Sequence, residues 1–305
     1  MAERDERVGV AAGVTAYTLW GLFPLVFHQL RDVGAVEILL HRVVWSFVVV
    51  AGMLYALRDR RWFDAVRTAP QGLRRLTAAA GFIALNWLVY IWAVNHDHVV
   101  EAALGYYINP LITVALGVVV LGESLRRLQV VALGFALVAV TVLTVAYGRV
   151  PWIALTLACS FAAYGFLKKS VPVRATTSLA VETAVLLPVA TVGMVVLQAR
   201  GDAAFLGGAV GRDALLVSLG VVTAVPLLLF GTAATRIPLS LLGLLQYLTP
   251  TMQLMVGVFV FHEGMPPERL AGFVLVWVAL VILAADALHG ARRARPEPIP
   301  VVEPA

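Results

Sequence analysis

The chain has 305 residues, of which 61% are hydrophobic and 13% are charged, and its formal net charge is +5. Because a soluble globular protein carries about 25% charged residues, this composition excludes an ordinary water-soluble domain and favours a protein whose solvent is lipid. The positive charge does not indicate a nucleic-acid partner, because the basic residues lie between apolar segments. A single cysteine, Cys159, excludes an intrachain disulfide.

Ten apolar segments along the chain are long enough to cross a bilayer as helices. The first follows the charged residues 1–7 and offers no small-residue cleavage site at its end, so we expect a membrane span there rather than a signal peptide. Continuous runs of Leu, Val, Ala and Gly favour helices over the alternating pattern of membrane strands. The predicted spans are 8–28, 36–57, 76–94, 101–121, 128–147, 151–168, 178–198, 213–232, 239–261 and 269–288. The expected fold class is an all-α integral membrane protein.

The positions of the basic residues predict the orientation of these spans. Seventeen of the 23 Lys and Arg residues lie on the side of the membrane that carries the two termini, and five lie on the other side. Loops rich in Lys and Arg remain in the cytoplasm. Both termini are therefore expected to be cytoplasmic, which requires an even number of spans.

Two halves of the chain share a motif at an offset of 140 residues. The matched residues are Tyr107 with Tyr247, Pro110 with Pro250, Gly117 with Gly257 and Glu123 with Glu263, and a weaker match at an offset of 144 pairs Trp20 and Gly21 with Tyr164 and Gly165. Each half holds five spans, an odd number, so the second half should cross the membrane upside down, as in many secondary transporters. We expect two five-helix repeats, at 8–147 and 151–288, and a disordered cytoplasmic tail at 289–305.

Two charged residues are predicted to lie inside spans, where an arginine costs about 2.5–3.5 kcal/mol at the helix centre. Arg42 lies in the second span and Glu182 in the seventh. An anionic ligand or an acidic side chain would satisfy Arg42, or its guanidinium could reach the outer interface along a buried stem. Glu182 is a candidate for a coupling proton or for the partner of a basic residue.

Polar side chains form matching stripes on the fourth and ninth spans. Tyr106, Asn109 and Thr113 share one helical face. The same stripe recurs 140 residues later, and each stripe adjoins a proline that frees a backbone carbonyl. Hydrogen bonds between helices are the alternative to a shared cavity. The later stripe consists of Gln246, Thr249 and Gln253, and the full set of candidate substrate-binding residues is Trp20, Arg42, Asn86, Tyr90, Tyr106, Asn109, Tyr164 and Gln246.

Several signatures of catalysis are missing from the sequence. It has no phosphate-binding G-x-x-x-x-G-K-[ST] loop, no H-E-x-x-H or clustered Cys and His set, and no G-x-S-x-G elbow. We therefore predict no catalytic residue, metal site or cofactor, and we do not expect an enzyme.

Ordered motifs along the chain resemble one known family. Stretches such as "AYTLWGLFPLVF", "EILLHRVVWSF", "SFAAYGFLKKS" and "LSLLGLLQYLTPT" are similar to the RarD-type permeases, in the EamA branch of the drug/metabolite transporter superfamily. The resemblance runs from about residue 8 to residue 288. It implies a ten-helix bundle of two inverted EamA repeats in the inner membrane of a bacterium. Such proteins are taken to export small metabolites or drugs by exchange or ion coupling.

The expected function is thus a secondary transporter that exports a small organic metabolite or drug by alternating access. Its expected partners are that solute, the lipid bilayer and a coupling proton or ion, and the sequence leaves a homodimer open. One alternative is a structural or sensory membrane subunit, which predicts tight packing and no cavity. The other is an intramembrane enzyme, which needs a nucleophile or a metal set within one cavity.

Overall fold

The protein folds entirely into helices in the part of the chain that the computed structural model describes, residues 2–58, 70–122, 124–169, 171 and 175–293. The first half contains α1 (Ala2–Gly21), α2 (Phe23–His28), α3 (Ala35–Ala56), α4 (Pro70–Asn95), α5 (Val99–Leu121) and α6 (Arg127–Tyr147). The second half contains α7 (Trp152–Lys169), α8 (Ala175–Arg200), α9 (Val210–Ala234), α10 (Leu239–Leu245), α11 (Leu248–Met255), a π-helical turn (Val256–Val260) and α12 (Pro267–Arg293). The all-α prediction is confirmed.

The predicted number of spans agrees with this architecture. Within the described residues, nine helical segments are long and apolar enough to cross a membrane, and a tenth apolar helix, Trp152–Lys168, is somewhat shorter. The predicted ends differ from the observed ones by a few residues. Helix α12 continues to Arg293, into the predicted tail, and residues 294–305 lie outside the described part of the chain.

Two predicted spans are interrupted rather than continuous. The first is divided between α1 and α2 at Leu22, two residues before Pro24. The ninth is divided between α10 and α11 at Gln246 and Tyr247, shortly before Pro250. A proline lacks the N–H that would donate to the carbonyl four residues earlier, and its ring crowds that carbonyl. Both breaks therefore follow from proline positions that the sequence already contains.

The chain forms two compact units, which do not coincide with the predicted repeats. The larger unit comprises Met1–Thr113 and Pro151–Met265, and the smaller comprises Val114–Val150 and Pro266–Ala305. Each unit draws helices from both halves of the sequence, because the strongest helix contacts occur between halves rather than within one half. The division into repeats at 8–147 and 151–288 remains a prediction from the sequence.

Helix pairs in the larger unit follow the pattern expected of two related halves. Helix α4, the third span, packs on α7, the sixth, while α1, the first span, packs on α9, the eighth. If each span is replaced by its counterpart in the other half, the first of these pairs becomes the second. Helix α3, the second span, packs on α8, the seventh. These two spans are each other's counterparts, so the same replacement leaves the pair unchanged. In the smaller unit α6 packs on α12, which is also such a self-related pair.

Two carboxylates, Glu37 and Glu263, fasten the loops of the larger unit at the side opposite the predicted cytoplasmic face. Glu37 accepts hydrogen bonds from the backbone N–H groups of Ala204 and Phe205, at 2.9–3.0 Å. Glu263 accepts from the first two N–H groups of α5, at 2.6 and 2.9 Å. Free N–H groups at a helix start need such acceptors. Glu263 thus caps the start of α5, whereas its sequence counterpart Glu123 lies outside the described residues.

Candidate substrate-binding cavity

A cavity of about 530 Å³ lies within the larger unit. Its volume falls in the range of small-molecule sites, about 300–1,000 Å³. The walls are largely apolar and include nine aromatic side chains, and residues from both halves of the sequence contribute to them. All eight candidate substrate-binding residues line this one cavity: Trp20, Arg42, Asn86, Tyr90, Tyr106, Asn109, Tyr164 and Gln246. Of the two polar stripes, Thr249 and Gln253 also reach the cavity, whereas Thr113 is exposed elsewhere and donates to the carbonyl of Asn109.

Three of the lining residues owe their free carbonyls to prolines. Pro24, Pro110 and Pro250 each follow a lining residue by four positions, so the N–H that would donate to the carbonyl of that residue in an α-helix is missing. The three lining residues are Trp20, Tyr106 and Gln246. Gln253 donates its side-chain amide to the Trp20 carbonyl at 3.3 Å. Backbone acceptors of this kind are tolerated at membrane depth where they line a cavity or are buried in protein.

Arg42 lies deep in the cavity wall and is only 4% exposed. Its Nε donates to Thr223 Oγ1 at 3.0 Å, and its guanidinium carbon lies 4.0 Å from the centroid of the Trp87 ring. Phe23 and Phe27 are also near, at 5.4 and 5.6 Å. Within the described residues its contacts include no carboxylate. This burial is inconsistent with a guanidinium that reaches the interface. The hydrogen bond to Thr223 uses Nε, so the terminal N–H groups of Arg42 are available to an anion in the cavity.

Asn86 ties three helices together beside Arg42. Its Nδ2 donates to the carbonyl of Leu157 and to Ser160 Oγ, both at 3.0 Å, and its Oδ1 accepts from the Tyr106 hydroxyl at 3.2 Å. The side chain is 1% exposed. The amide of Asn86 is thus engaged by the protein itself, as the hydrogen-bonding alternative expected. Its part in the site is to hold Tyr106 at the cavity wall.

Some polar atoms that line the cavity have no protein partner among the described residues. They are the Tyr90 hydroxyl, Asn109 Oδ1 and Gln253 Oε1, all of which are buried. Buried polar atoms in native proteins are almost always hydrogen-bonded to protein, water or ligand. These three atoms therefore mark positions where water or a bound solute supplies the missing hydrogen bond.

Glu182 lies behind the cavity wall as the partner of a basic residue. Its carboxylate is 2% exposed and accepts from Ser178 Oγ at 2.5 Å and from the Tyr164 hydroxyl at 3.1 Å. Lys168 Nζ lies 3.2 Å from the same carboxylate and donates to the Tyr164 hydroxyl at 2.6 Å. Lys168 lines the cavity, a role that we did not predict because it ends a span and resembles an ordinary cytoplasmic-loop cation. Its spacing of four residues from Tyr164 was the available signal.

Aromatic rings form the remaining wall, between α1 and α9. Trp20 lies 5.5 Å from Tyr17 and 5.8 Å from Phe230, measured between ring centroids. Tyr17 meets Phe230 edge-on at 6.1 Å. Such edge-to-face contacts fix ring orientation and add about 0.5–1.5 kcal/mol to the burial of each pair. In the described part of the chain, no cluster of His, Cys, Asp and Glu suited to a metal ion is found.

Comparisons with known proteins agree with this architecture. The model of the EamA-like transporter family matches residues 7–145. Protein RarD of Streptomyces exfoliatus is 53% identical over 294 residues, which cover 96% of this chain and 93% of that protein. The chain belongs to the RarD-type permeases of the EamA-like transporter family. An uncharacterised transporter of Vibrio cholerae is 41% identical to this permease over 298 residues, covering 96% of one chain and 98% of the other.

A solved crystal structure shares the fold of this RarD-type permease. It aligns with a TM-score of 0.58 and covers 94% of this chain and 99% of its own, at 18% identity. At that identity the likeness concerns the fold alone. The permease is therefore a multi-pass membrane protein of a transporter family, as the resemblance of its motifs implied.

Proposed function

We propose that this permease is a secondary transporter for small amphipathic organic anions, which it exports across the inner membrane of a bacterium by alternating access. The observation that carries the proposal is Arg42, a buried guanidinium in the cavity wall, with no carboxylate among its described contacts. A buried cation without a countercharge is unfavourable. A transient anionic ligand supplies that countercharge.

The lining of the cavity supports the amphipathic character of the solute. Tyr17, Trp20 and Phe230 present an aromatic surface, while Tyr90 and Asn109 present unpaired polar atoms. Small-molecule sites combine such apolar walls with a few polar groups that fix the orientation of the ligand. A cavity with unpaired polar atoms also argues against the structural-subunit alternative, which predicts tight packing.

The direction of transport and the topology rest on different grounds. The excess of Lys and Arg on the side of the termini supports cytoplasmic termini. Export is proposed because members of this family are taken to export small metabolites or drugs. Alternating access is proposed from the inverted-repeat plan of secondary transporters, whose solute sites lie near the bilayer midplane.

Uptake into proteoliposomes tests the proposal with matched probes. Radiolabelled benzoate, an aromatic anion, and benzamide, its neutral isostere, are compared in vesicles holding the wild type, Arg42→Gln or Arg31→Gln, the last altering an exposed arginine outside the cavity. We expect carrier-dependent exchange of benzoate in the wild type and the Arg31→Gln control, and a loss of about tenfold or more in Arg42→Gln. Equal benzoate exchange by Arg42→Gln and the wild type would overturn the assignment, as would preference for benzamide.

A further inference from the structure

The cavity contains a second cation besides Arg42, and this one is held by an acidic partner. Lys168 Nζ lies 3.2 Å from the Glu182 carboxylate, and the Tyr164 hydroxyl bridges the pair by accepting from Lys168 and donating to Glu182. The Lys168 side chain is 25% exposed, whereas that of Glu182 is 2% exposed. The ammonium is thus the movable member of the pair and faces the cavity, while the carboxylate is fixed behind it.

The two cations lie at different depths along the bundle. Arg42 stacks on Trp87, and the neighbouring Asn86 contacts Ser160 of α7. Lys168 follows Ser160 by eight residues on the same helix, which corresponds to about 12 Å at 1.5 Å per residue. Lys168 lies toward the loop that follows α7, which the distribution of basic residues assigns to the cytoplasmic side.

We propose that Lys168 is a second anion contact on the path between Arg42 and the cytoplasmic end of the cavity, and that Glu182 masks it while no anion is present. This inference rests on the proposed function and names a further residue of the same site. An incoming carboxylate or sulfonate competes with Glu182 for one ammonium. Lysine suits this exchange because its charge is compact and its stem flexible, whereas Arg42 is fixed by stacking.

The masking follows from the geometry of the cluster. Ser178 and Tyr164 both donate to Glu182, so the carboxylate keeps two hydrogen bonds when the ammonium moves away. A buried carboxylate that lost every partner would be strongly disfavoured. Lys168 can therefore turn toward a solute without leaving Glu182 bare, and the Tyr164 ring, 4.7 Å from Nζ, remains beside it.

Charged thiol reagents measure this masking without knowledge of the natural solute. In a Cys159→Ser background, Gly165→Cys places a thiol in the cavity wall three residues from Lys168, at a position with open space for a side chain. The probes are an anionic sulfonatoethyl methanethiosulfonate and its cationic trimethylammonium counterpart. The measured quantity is the ratio of their modification rates, anionic over cationic.

Each charge change should move this ratio in a defined direction. Glu182→Gln unmasks Lys168 and should raise the ratio severalfold, about fivefold for one charge some 7–8 Å away in a water-like medium. Lys168→Gln should lower the ratio by a similar factor, and the double variant should return close to the starting ratio. A second thiol at Gly243→Cys, on α10 in the same cavity and also with open space, should respond less.

The outcomes separate this inference from the proposed function. An unchanged ratio in both Glu182→Gln and Lys168→Gln overturns the masking, even if Arg42→Gln has abolished benzoate exchange. An equal response at Gly165→Cys and Gly243→Cys also overturns it, because the charge would then act on the whole cavity rather than at one contact. If Glu182→Gln fails to fold, as judged by gel filtration, Lys168→Gln alone must still lower the ratio.

Discussion

The two helix pairs that flank the cavity are related by the sequence repeat but have different chemistry. Between α4 and α7 the contact at the cavity is polar, since Asn86 bonds to Leu157 and Ser160 across the pair. Between α1 and α9 the contact is aromatic, with Trp20 against Phe230. The repeat thus preserves which helices pack together and not which side chains meet. A symmetric scaffold in this way encloses an asymmetric site.

Arg42 lies where the two walls meet. Its guanidinium stacks on Trp87 of the polar pair and donates to Thr223 of the aromatic pair. The two halves also differ at aligned positions of the sequence. The weak match at an offset of 144 aligns Pro24 of the first half with Lys168 of the second. One half thus breaks its helix where the other half supplies a charge.

The largest effect is expected where α9, which forms part of the aromatic wall, packs against α3. A Cβ on Gly220 would collide with the backbone carbonyl of Trp45, which cannot move without shifting α3. Gly220→Ala should lower the free energy of unfolding by about 1–3 kcal/mol. Gly211→Ala, on the same helix but with open space around it, is the control and should be neutral or slightly stabilising. Thermal unfolding in detergent measures both, and equal melting temperatures would show that α3 and α9 are not in close contact.

The polar wall should respond most to loss of Asn86. Asn86→Leu removes the bonds to Leu157, Ser160 and Tyr106, and should destabilise by about 1–2 kcal/mol. Ser160→Ala should cost less, because the Ser160 hydroxyl already donates to the carbonyl of Thr156 in its own helix at 2.6 Å. Chemical denaturation of the two variants gives the comparison. A larger loss in Ser160→Ala would reverse the assignment of Asn86 as the centre of the network.

The aromatic wall should tolerate truncation better. Phe230→Leu removes the ring contacts with Tyr17 and Trp20 and should cost about 0.5–1.5 kcal/mol. The same variant should weaken binding of benzoate more than binding of acetate, because only benzoate presents a ring to this wall. Titration calorimetry with both anions checks this, and parallel weakening would place the solute away from α1 and α9.

The smallest effect is expected from a single hydroxyl of the polar wall. Tyr106→Phe removes one hydrogen bond to Asn86, and such bonds between membrane helices average about 0.6 kcal/mol. The melting temperature should fall slightly. A double-mutant cycle with Asn86→Leu isolates this bond, and a coupling energy of zero would mean that Tyr106 reaches the cavity independently of Asn86.

Much of this architecture could be predicted because lipid constrains sequence strongly. Ten apolar segments define ten spans, and polar residues within them must face the protein interior. On that ground the sequence predicts a shared cavity for Arg42, Asn109 and Gln246, and all three line the one cavity described above. Pro110 and Pro250, which remove the helical donors of two cavity carbonyls, can also be found in the sequence, each four positions after a polar residue of its stripe.

The remaining features depend on contacts between distant parts of the chain. Asn86 was predicted to meet the solute, but its amide is used by Leu157 and Ser160, more than 70 positions away. In the sequence Lys168 resembles a loop cation at the end of a span, and only the fold places Glu182 behind it and a cavity in front of it. The grouping of helices into two units could not be inferred either, since helix pairing occurs across the repeat boundary.

The central claim, that Arg42 makes the cavity selective for anions, is tested most directly by binding. Titration calorimetry compares benzoate and benzamide on the purified wild type, Arg42→Gln and Arg42→Lys. We predict that the wild type binds benzoate at least about tenfold more tightly than benzamide, about 1.4 kcal/mol, and that Arg42→Gln loses this difference. Arg42→Lys should be intermediate, because it keeps the charge but loses the planar stack on Trp87. Equal preference for benzoate in the wild type and Arg42→Gln would contradict the claim.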